Sequence, residues 1–226
     1  LDRIAQLFDL LDEWRHLPAY QLERRADILF ALYLPAFLSD RLKVRLRPQL
    51  IPEFPLRQRL NNRSCKVDYV AMSEDGNKVF FVELKTDNLS RRQRQDEYLV
   101  RAKDAGMPSL IKDVRKIFAG TKARLRPKYC HLLKLLDFHG LECLPPSFFG
   151  RQKTGWRGFK RDFASSEVPQ TSREISIYYL KPTYDVPGDI GFDTFADWMD
   201  QFGDPLSSRF SASLRAWAKV KAGQAI

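Results

Sequence analysis

Cysteine and histidine are scarce in this chain of 226 residues, with three of each. Cys65, Cys130 and Cys143 form an odd set at wide spacings, which excludes a disulfide framework and matches no zinc site. Buried thiols in a reducing cytoplasm are the expectation. His16, His131 and His139 show no metal-ligand spacing either. Long apolar runs are missing: stretches such as Ile28 to Leu34 are far too short to span a bilayer, so no membrane partner is expected. No basic-then-apolar leader opens the chain, so nothing points to secretion. There is no Gly-x-x-x-x-Gly-Lys loop and no Gly-x-Gly-x-x-Gly after a strand pattern, which disfavours ATP hydrolysis and dinucleotide binding.

Positive charge is what the chain has in excess. Thirty-eight basic against 28 acidic residues leave a net +10, and a polyanionic partner is the first hypothesis. The excess is uneven. Residues 41–66 carry Arg41, Lys43, Arg45, Arg47, Arg57, Arg59, Arg63 and Lys66 against Glu53 alone. Residues 101–128 carry nine bases against Asp104 and Asp113, whereas 183–205 has six aspartates and no Lys or Arg. Such segregation favours a basic face that follows a phosphate backbone, against the blander reading of a solvated surface with a high pI. A hydrophobic share of 44% suits a soluble globular protein that needs neither disulfides nor metal staples to fold.

Helical spacing over 2–15 predicts a first helix ended by Pro18, and a second helix should run from about Ala19 to Leu34, where Pro35 kinks or stops it. Residues 44–56, with Pro48 and Pro52, read as an edge or irregular strand. Strands near 65–72 and 78–86 follow, then a helix from Ser90 to Ala105 capped by Ser90 or Asn88. Helices near 109–118 and 128–138, a strand at 174–180 and helices around 192–200 and 206–219 complete the pattern. Between them, 147–173 interleaves bases and aromatics: Phe148, Phe149, Arg151, Lys153, Trp156, Arg157, Phe159, Lys160, Arg161 and Phe163. Two readings stand side by side, a base-stacking and phosphate-contacting surface or a loop anchored in the core by its aromatics. The expected fold is α/β, a central mixed sheet flanked by helices. It is read as one domain over 1–226, with an N-terminal helix within 1–18 and a helical extension over 183–226.

The chemistry concentrates on the two central strands. Asp75-Gly76 between them is a strong hairpin signal. If it forms the turn, residues whose numbers sum to 151 lie opposite one another, so Asp68 faces Glu83. Lys85, two residues on, points to the same face. Like charges directly opposite destabilise a sheet, and a divalent cation resolves the conflict. A structural ion pair at a strand end is the plain alternative.

Val67-Asp68, a 14-residue gap and Glu83-Leu84-Lys85 resemble the PD-(D/E)XK phosphodiesterase superfamily, the restriction-endonuclease-like nucleases. Val67 replaces the family's Pro, which carries no chemistry. The resemblance implies a Mg²⁺-dependent nuclease, with Mn²⁺ able to substitute. In it Asp68 and Glu83 bind the metal, Leu84 offers its backbone carbonyl, and Lys85 contacts the nucleophilic water. It also implies helices before and after the hairpin and a further strand, places that 19–34, 90–105 and 174–180 can fill. Gln95 and Tyr98, i,i+3 on the later helix, look like the Gln-x-x-Tyr element of recombination-type exonucleases, which supports the site and contacts DNA; both are also ordinary helix-surface residues. Glu23 and Asp27 are candidates for the extra carboxylate that the family often supplies from the preceding helix. Histidine-based nuclease chemistry finds no support. DNA is the expected partner, with RNA as the other possibility and oligomeric state open, a dimer included. The rival readings are a non-cleaving nucleic-acid-binding protein that retains the nuclease fold, and an assembly protein whose acidic 183–205 segment and basic surface pair with partners.

Overall fold

The computed structural model describes residues 3–15, 17, 21–57, 64–87, 93–149, 156–183 and 188–219. Expectations resting on His16, Pro18, Ala19, Arg59, Arg63, Asn88, Ser90, Arg151 and Lys153 lie outside the described residues.

The chain begins with helices α1 (Arg3–Trp14) and α2 (Leu22–Leu42). Of the two outcomes expected at Pro35, a kink or a stop, the stop does not occur: helix α2 continues to Leu42. A proline inside a helix removes one backbone hydrogen bond and crowds the preceding turn, at about 3 kcal/mol. Phe37 and Leu38, one turn further on, are buried at 2% and 0% exposure, and each buried side chain of this kind contributes roughly 1.5–3 kcal/mol. Burial beyond the proline therefore outweighs the local penalty.

Five strands form one mixed sheet in the order β1 (Ile51–Arg57), β2 (Ser64–Met72), β3 (Lys78–Leu84), β4 (Glu174–Lys181) and β5 (Asp189–Gly191). Strand β1 pairs antiparallel with β2, whereas β4 and β5 are parallel. Pro52 and Pro55 are tolerated in β1 because it is an edge strand, paired on one side only. The sheet is flanked by helices α3 (Gln93–Gly120), α4 (Arg126–Phe138), α5 (Pro146–Phe149), α6 (Trp156–Ala164), α7 (Phe192–Met199) and α8 (Pro205–Lys219). Helix α3 is two helices joined at a break, Gly106 at φ 73° and ψ 158° followed by Pro108. The break falls between the segments expected over 90–105 and 109–118. Strand β5 has no counterpart among the sequence expectations, which place helices around 192–200 and 206–219 in the 183–226 extension and no strand. No helix among the described residues is long and apolar enough to cross a membrane.

The turn between β2 and β3 forms around Asp75-Gly76. The Ser73 amide donates to the Lys78 carbonyl at 3.0 Å, a pair whose numbers sum to 151. Gly76 supplies the positive φ of +74° that the turn requires. The Asp75 carboxylate accepts from Ser73 Oγ at 2.5 Å, the Asn77 amide at 3.0 Å and Asn77 Nδ2 at 2.9 Å. Those bonds, that from Ser73 first, hold its pKa below the usual carboxylate value. A lowered folded pKa means stabilisation that is full above the ordinary value of about 4 and lost as pH falls through the folded one. Asp75→Ala should therefore lower the melting temperature at pH 7, with the gap to wild type narrowing as pH falls below the ordinary carboxylate value and through the lowered folded one. A gap that stays constant across that titration would remove the carboxylate from this account.

Packing divides the chain into two compact units, each built from separated segments. The first comprises residues 1–48, 82–93 and 177–226. Its core is aromatic: Phe30 packs on Phe192, Phe195 and Phe210 with ring centroids 5.1–5.9 Å apart, and Phe37 meets Phe195 at 4.7 Å. Polar ties surround it, among them Trp217 Nε1 to Asp12 at 2.7 Å and Trp198 Nε1 to Asp40 at 2.9 Å. The second unit comprises 49–81 and 94–176. Phe54 and Phe81 stack at 6.3 Å within it, and Phe118 receives Phe159 and Phe163 edge-on at 5.1 and 5.4 Å.

Candidate functional site

Strand β3 carries Val79, Phe81 and Glu83 on one face, and Lys85 follows immediately after the strand at the next position of that face. Glu83 is fully buried and Lys85 is 4% exposed. The Lys85 ammonium donates to Glu83 Oε2 at 3.0 Å and to the Leu84 carbonyl at 3.1 Å. Its backbone amide donates to the Leu180 carbonyl at 2.8 Å, so the lysine is anchored at both ends. The structure thus brings three consecutive residues, acid, carbonyl and lysine, to one point in the first unit.

The two oxygens that meet the ammonium are those the resemblance gives to a metal. Both are hard donors converging on a single positive charge, a set that suits Mg²⁺. Among the described residues no group of three or more His, Cys, Asp or Glu is gathered as a metal centre. A divalent ion held here would therefore rely on one or two carboxylates and the carbonyl, leaving its other positions to water and phosphate oxygens.

Asp68 lies on β2 in the second unit, half-buried between the buried Val67 and Tyr69. Glu23 is half-buried and Asp27 exposed on α2 of the first unit. The Asp27 carboxylate accepts from the Ile28 amide at 2.7 Å, an ordinary local contact on a solvated helix face. Gln95 and Tyr98 sit half-buried on the first half of α3, in the second unit. Tyr98 accepts from Arg94 Nε at 3.3 Å, and the guanidiniums of Arg94 and Arg101 lie 5.8 and 5.9 Å from its ring centroid. Two exposed arginines flanking one tyrosine form a local cationic surface.

Several charged or aromatic segments resolve differently from their first reading. In the 147–173 segment Phe148 and Phe159 are buried, and with Phe163 they form an aromatic cluster on Phe118. The core-anchor reading holds for these rings; the side chains of Phe149, Trp156 and Arg157 are outside the described residues. Arg115, one of the nine bases over 101–128, grips Glu142 and the carbonyls of Phe163 and Ser166 instead of facing solvent. Lys103, Lys112, Lys122, Arg124 and Lys128 of that segment are exposed.

The acidic segment is largely answered within its own unit. Asp189 pairs with Lys181 at 2.8 Å, and Asp197 and Asp200 pair with Arg215 at 2.7 and 2.6 Å. The Arg215 bond is the main reason the Asp200 pKa is lowered. Asp204 accepts from the Leu206 and Ser207 amides at the start of α8. Cys65, Cys130 and Cys143 are all free thiols, but only Cys130 is buried as expected, which raises its pKa; Cys65 is half-buried and Cys143 exposed.

Sequence reasoning missed Lys181 and Asp189. A signal was present: Ile175, Ile177 and Tyr179 define one face of β4, and Lys181 closes that face as Lys85 closes the face of β3. No protein-family model, curated protein or solved structure matches this chain.

Proposed function

We propose that the chain is a Mg²⁺-dependent nuclease that hydrolyses phosphodiester bonds in DNA, with Glu83, Leu84 and Lys85 at the centre of its site. The observation that carries this reading is the convergence of Glu83 Oε2 and the Leu84 carbonyl on the Lys85 ammonium, at 3.0 and 3.1 Å. Glu83 and the Leu84 carbonyl would hold the metal, and the reading asks Asp68 to supply the second carboxylate. Bound Mg²⁺ supplies Lewis-acid polarisation of the phosphodiester and activation of water. Lys85, released from its two oxygens, orients the nucleophile and stabilises negative charge that develops on the phosphate.

A second reading draws on the same contacts. The ammonium already neutralises the carboxylate, so a nucleic-acid-binding protein that no longer cuts would find its pair satisfied without metal. Incubation with linear, circular and single-stranded DNA in Mg²⁺, Mn²⁺ or EDTA separates the two. Cleavage that EDTA abolishes is the expected result, with DNA affinity falling steeply as salt rises through counterion release. Calorimetric Mg²⁺ titration of wild type and Asp68→Ala should show binding in the first and a marked loss in the second. Binding without cleavage in either metal would favour the non-cleaving reading, and an absence of DNA binding would end both.

A further inference from the structure

Lys85 has a counterpart on the next strand. Its amide donates to the Leu180 carbonyl, and at the other end of the ladder the Glu174 amide donates to the Asn77 carbonyl. Both bonds fit a parallel pairing of β3 with β4 in which partners differ by 96 positions, so Lys85 lies beside Lys181 and Glu83 beside Tyr179. The β4–β5 register continues the rows, Tyr179 beside Asp189 and Lys181 beside Gly191. Register partners share a face, and so do residues two apart. One face of three parallel strands therefore carries Glu83, Lys85, Lys181 and Asp189.

All four are buried, at 0%, 4%, 4% and 2% exposure. They form two ion pairs, Lys85 with Glu83 at 3.0 Å and Lys181 with Asp189 at 2.8 Å. Stability is a poor reason for this arrangement. Desolvating a pair costs about what its attraction returns, and apolar side chains of similar volume often do as well or better. Setting two ammonium groups on adjacent strands adds like-charge repulsion. In each pair the lysine side chain is slightly the more exposed, at 5% against 0% for Glu83 and 1% for Asp189. Finally, Lys85 and Lys181 stand at the carboxyl ends of their parallel strands, the end at which open α/β sheets bind ligands.

We infer that Lys181 is a second phosphate-contacting residue of the site, and that Asp189 positions it. Asp189 neutralises Lys181 while no polyanion is present and holds it on the face that also carries Lys85. An incoming phosphodiester then meets two ammonium groups on adjacent strands, which matches a phosphate with two free oxygens better than one lysine can. The inference rests on the nuclease reading and extends it.

The test is single-turnover cleavage of linear duplex DNA in Mg²⁺ by wild type, Lys181→Met, Lys181→Arg and the charge-free double variant Lys181→Met/Asp189→Asn. Near-UV circular dichroism and Mg²⁺ calorimetry accompany each. Lys181→Met alone leaves Asp189 buried without its ammonium, so the double variant is the one expected to fold as wild type does. It should bind Mg²⁺ like wild type yet cleave about 10²-fold more slowly or worse at saturating DNA. Lys181→Arg, which keeps the charge, should recover part of that loss. A folded double variant that cleaves at the wild-type rate overturns the inference and leaves the nuclease reading intact. No cleavage by wild type in Mg²⁺ or Mn²⁺ overturns the nuclease reading and the inference with it.

Discussion

Glu83→Gln should abolish Mg²⁺-dependent cleavage and also weaken the fold, a combination that no surface carboxylate would produce. The substitution keeps the shape of the side chain and removes the charge that faces the Lys85 ammonium at 3.0 Å. Lys85 is then left with the Leu84 carbonyl, at 3.1 Å, as its remaining acceptor from the pair of contacts described above. Breaking a buried pair by removing one partner costs about 3–5 kcal/mol, because the other charge stays desolvated. Cleavage should fall by at least about 10³-fold, the scale of losing a principal electrostatic group at a reacting centre. DNA affinity should hold or tighten, since an anion near the phosphate has gone.

Lys85→Ala is the informative partner. It strands Glu83 as a buried carboxylate without the ammonium, so the metal-free protein should melt well below wild type. Mg²⁺ should then raise its melting temperature more than it raises that of wild type, because a ligand that binds the folded state stabilises it by mass action. Scanning calorimetry with and without Mg²⁺ reads the difference directly. Equal Mg²⁺ shifts in the two proteins would separate Glu83 from metal binding, and equal single-turnover rates would remove Lys85 from the mechanism.

The hairpin that positions these residues was legible because its signal is local. Asp75-Gly76 needs a positive φ and a side-chain acceptor, both present in the dipeptide, and the Ser73–Lys78 bond has the predicted register. The mixed sheet between helices was legible for the same reason, since alternation and helical spacing are written along short windows. Helix α2 runs on through Pro35 because a local rule competes there with burial of Phe37 against Phe195 and Trp198, more than 150 residues away in sequence. Strand β5 leaves no legible trace in the sequence, since three residues, Asp189 to Gly191, carry too little pattern to outweigh an acidic, helix-like neighbourhood. Its aspartate reads as surface charge until the β4–β5 register sets it beside Tyr179. Arg115 illustrates the limit of charge counting. Nothing in its sequence neighbourhood distinguishes it from the exposed lysines around it.

Arg115→Ala should therefore be the most destabilising substitution among the nine bases of 101–128. Its guanidinium makes a two-pronged pair with Glu142, at 2.8 and 2.5 Å, where the Glu142 side chain is fully buried. It also donates to the Ser166 carbonyl at 2.9 Å and to the Phe163 carbonyl at 3.3 Å, and lies 5.1 Å from the Phe163 ring centroid. One side chain on α3 thus ties the turn after α4 to the end of α6, inside the second unit. Truncation leaves the Glu142 carboxylate buried and charged and frees two carbonyls, at a cost of about 3–5 kcal/mol. In a chain of this size that corresponds to a fall in melting temperature on the order of 10 °C. Arg115→Lys should recover little of it, because a single ammonium cannot reproduce the planar fork that reaches a carboxylate and two carbonyls together. Exposed neighbours such as Lys112 and Lys122, changed to alanine, should shift the melting temperature by less than about 2 °C while weakening DNA binding at low salt. If Arg115→Ala melts like those surface variants and loses DNA affinity instead, the arginine belongs to the binding face and not to the core.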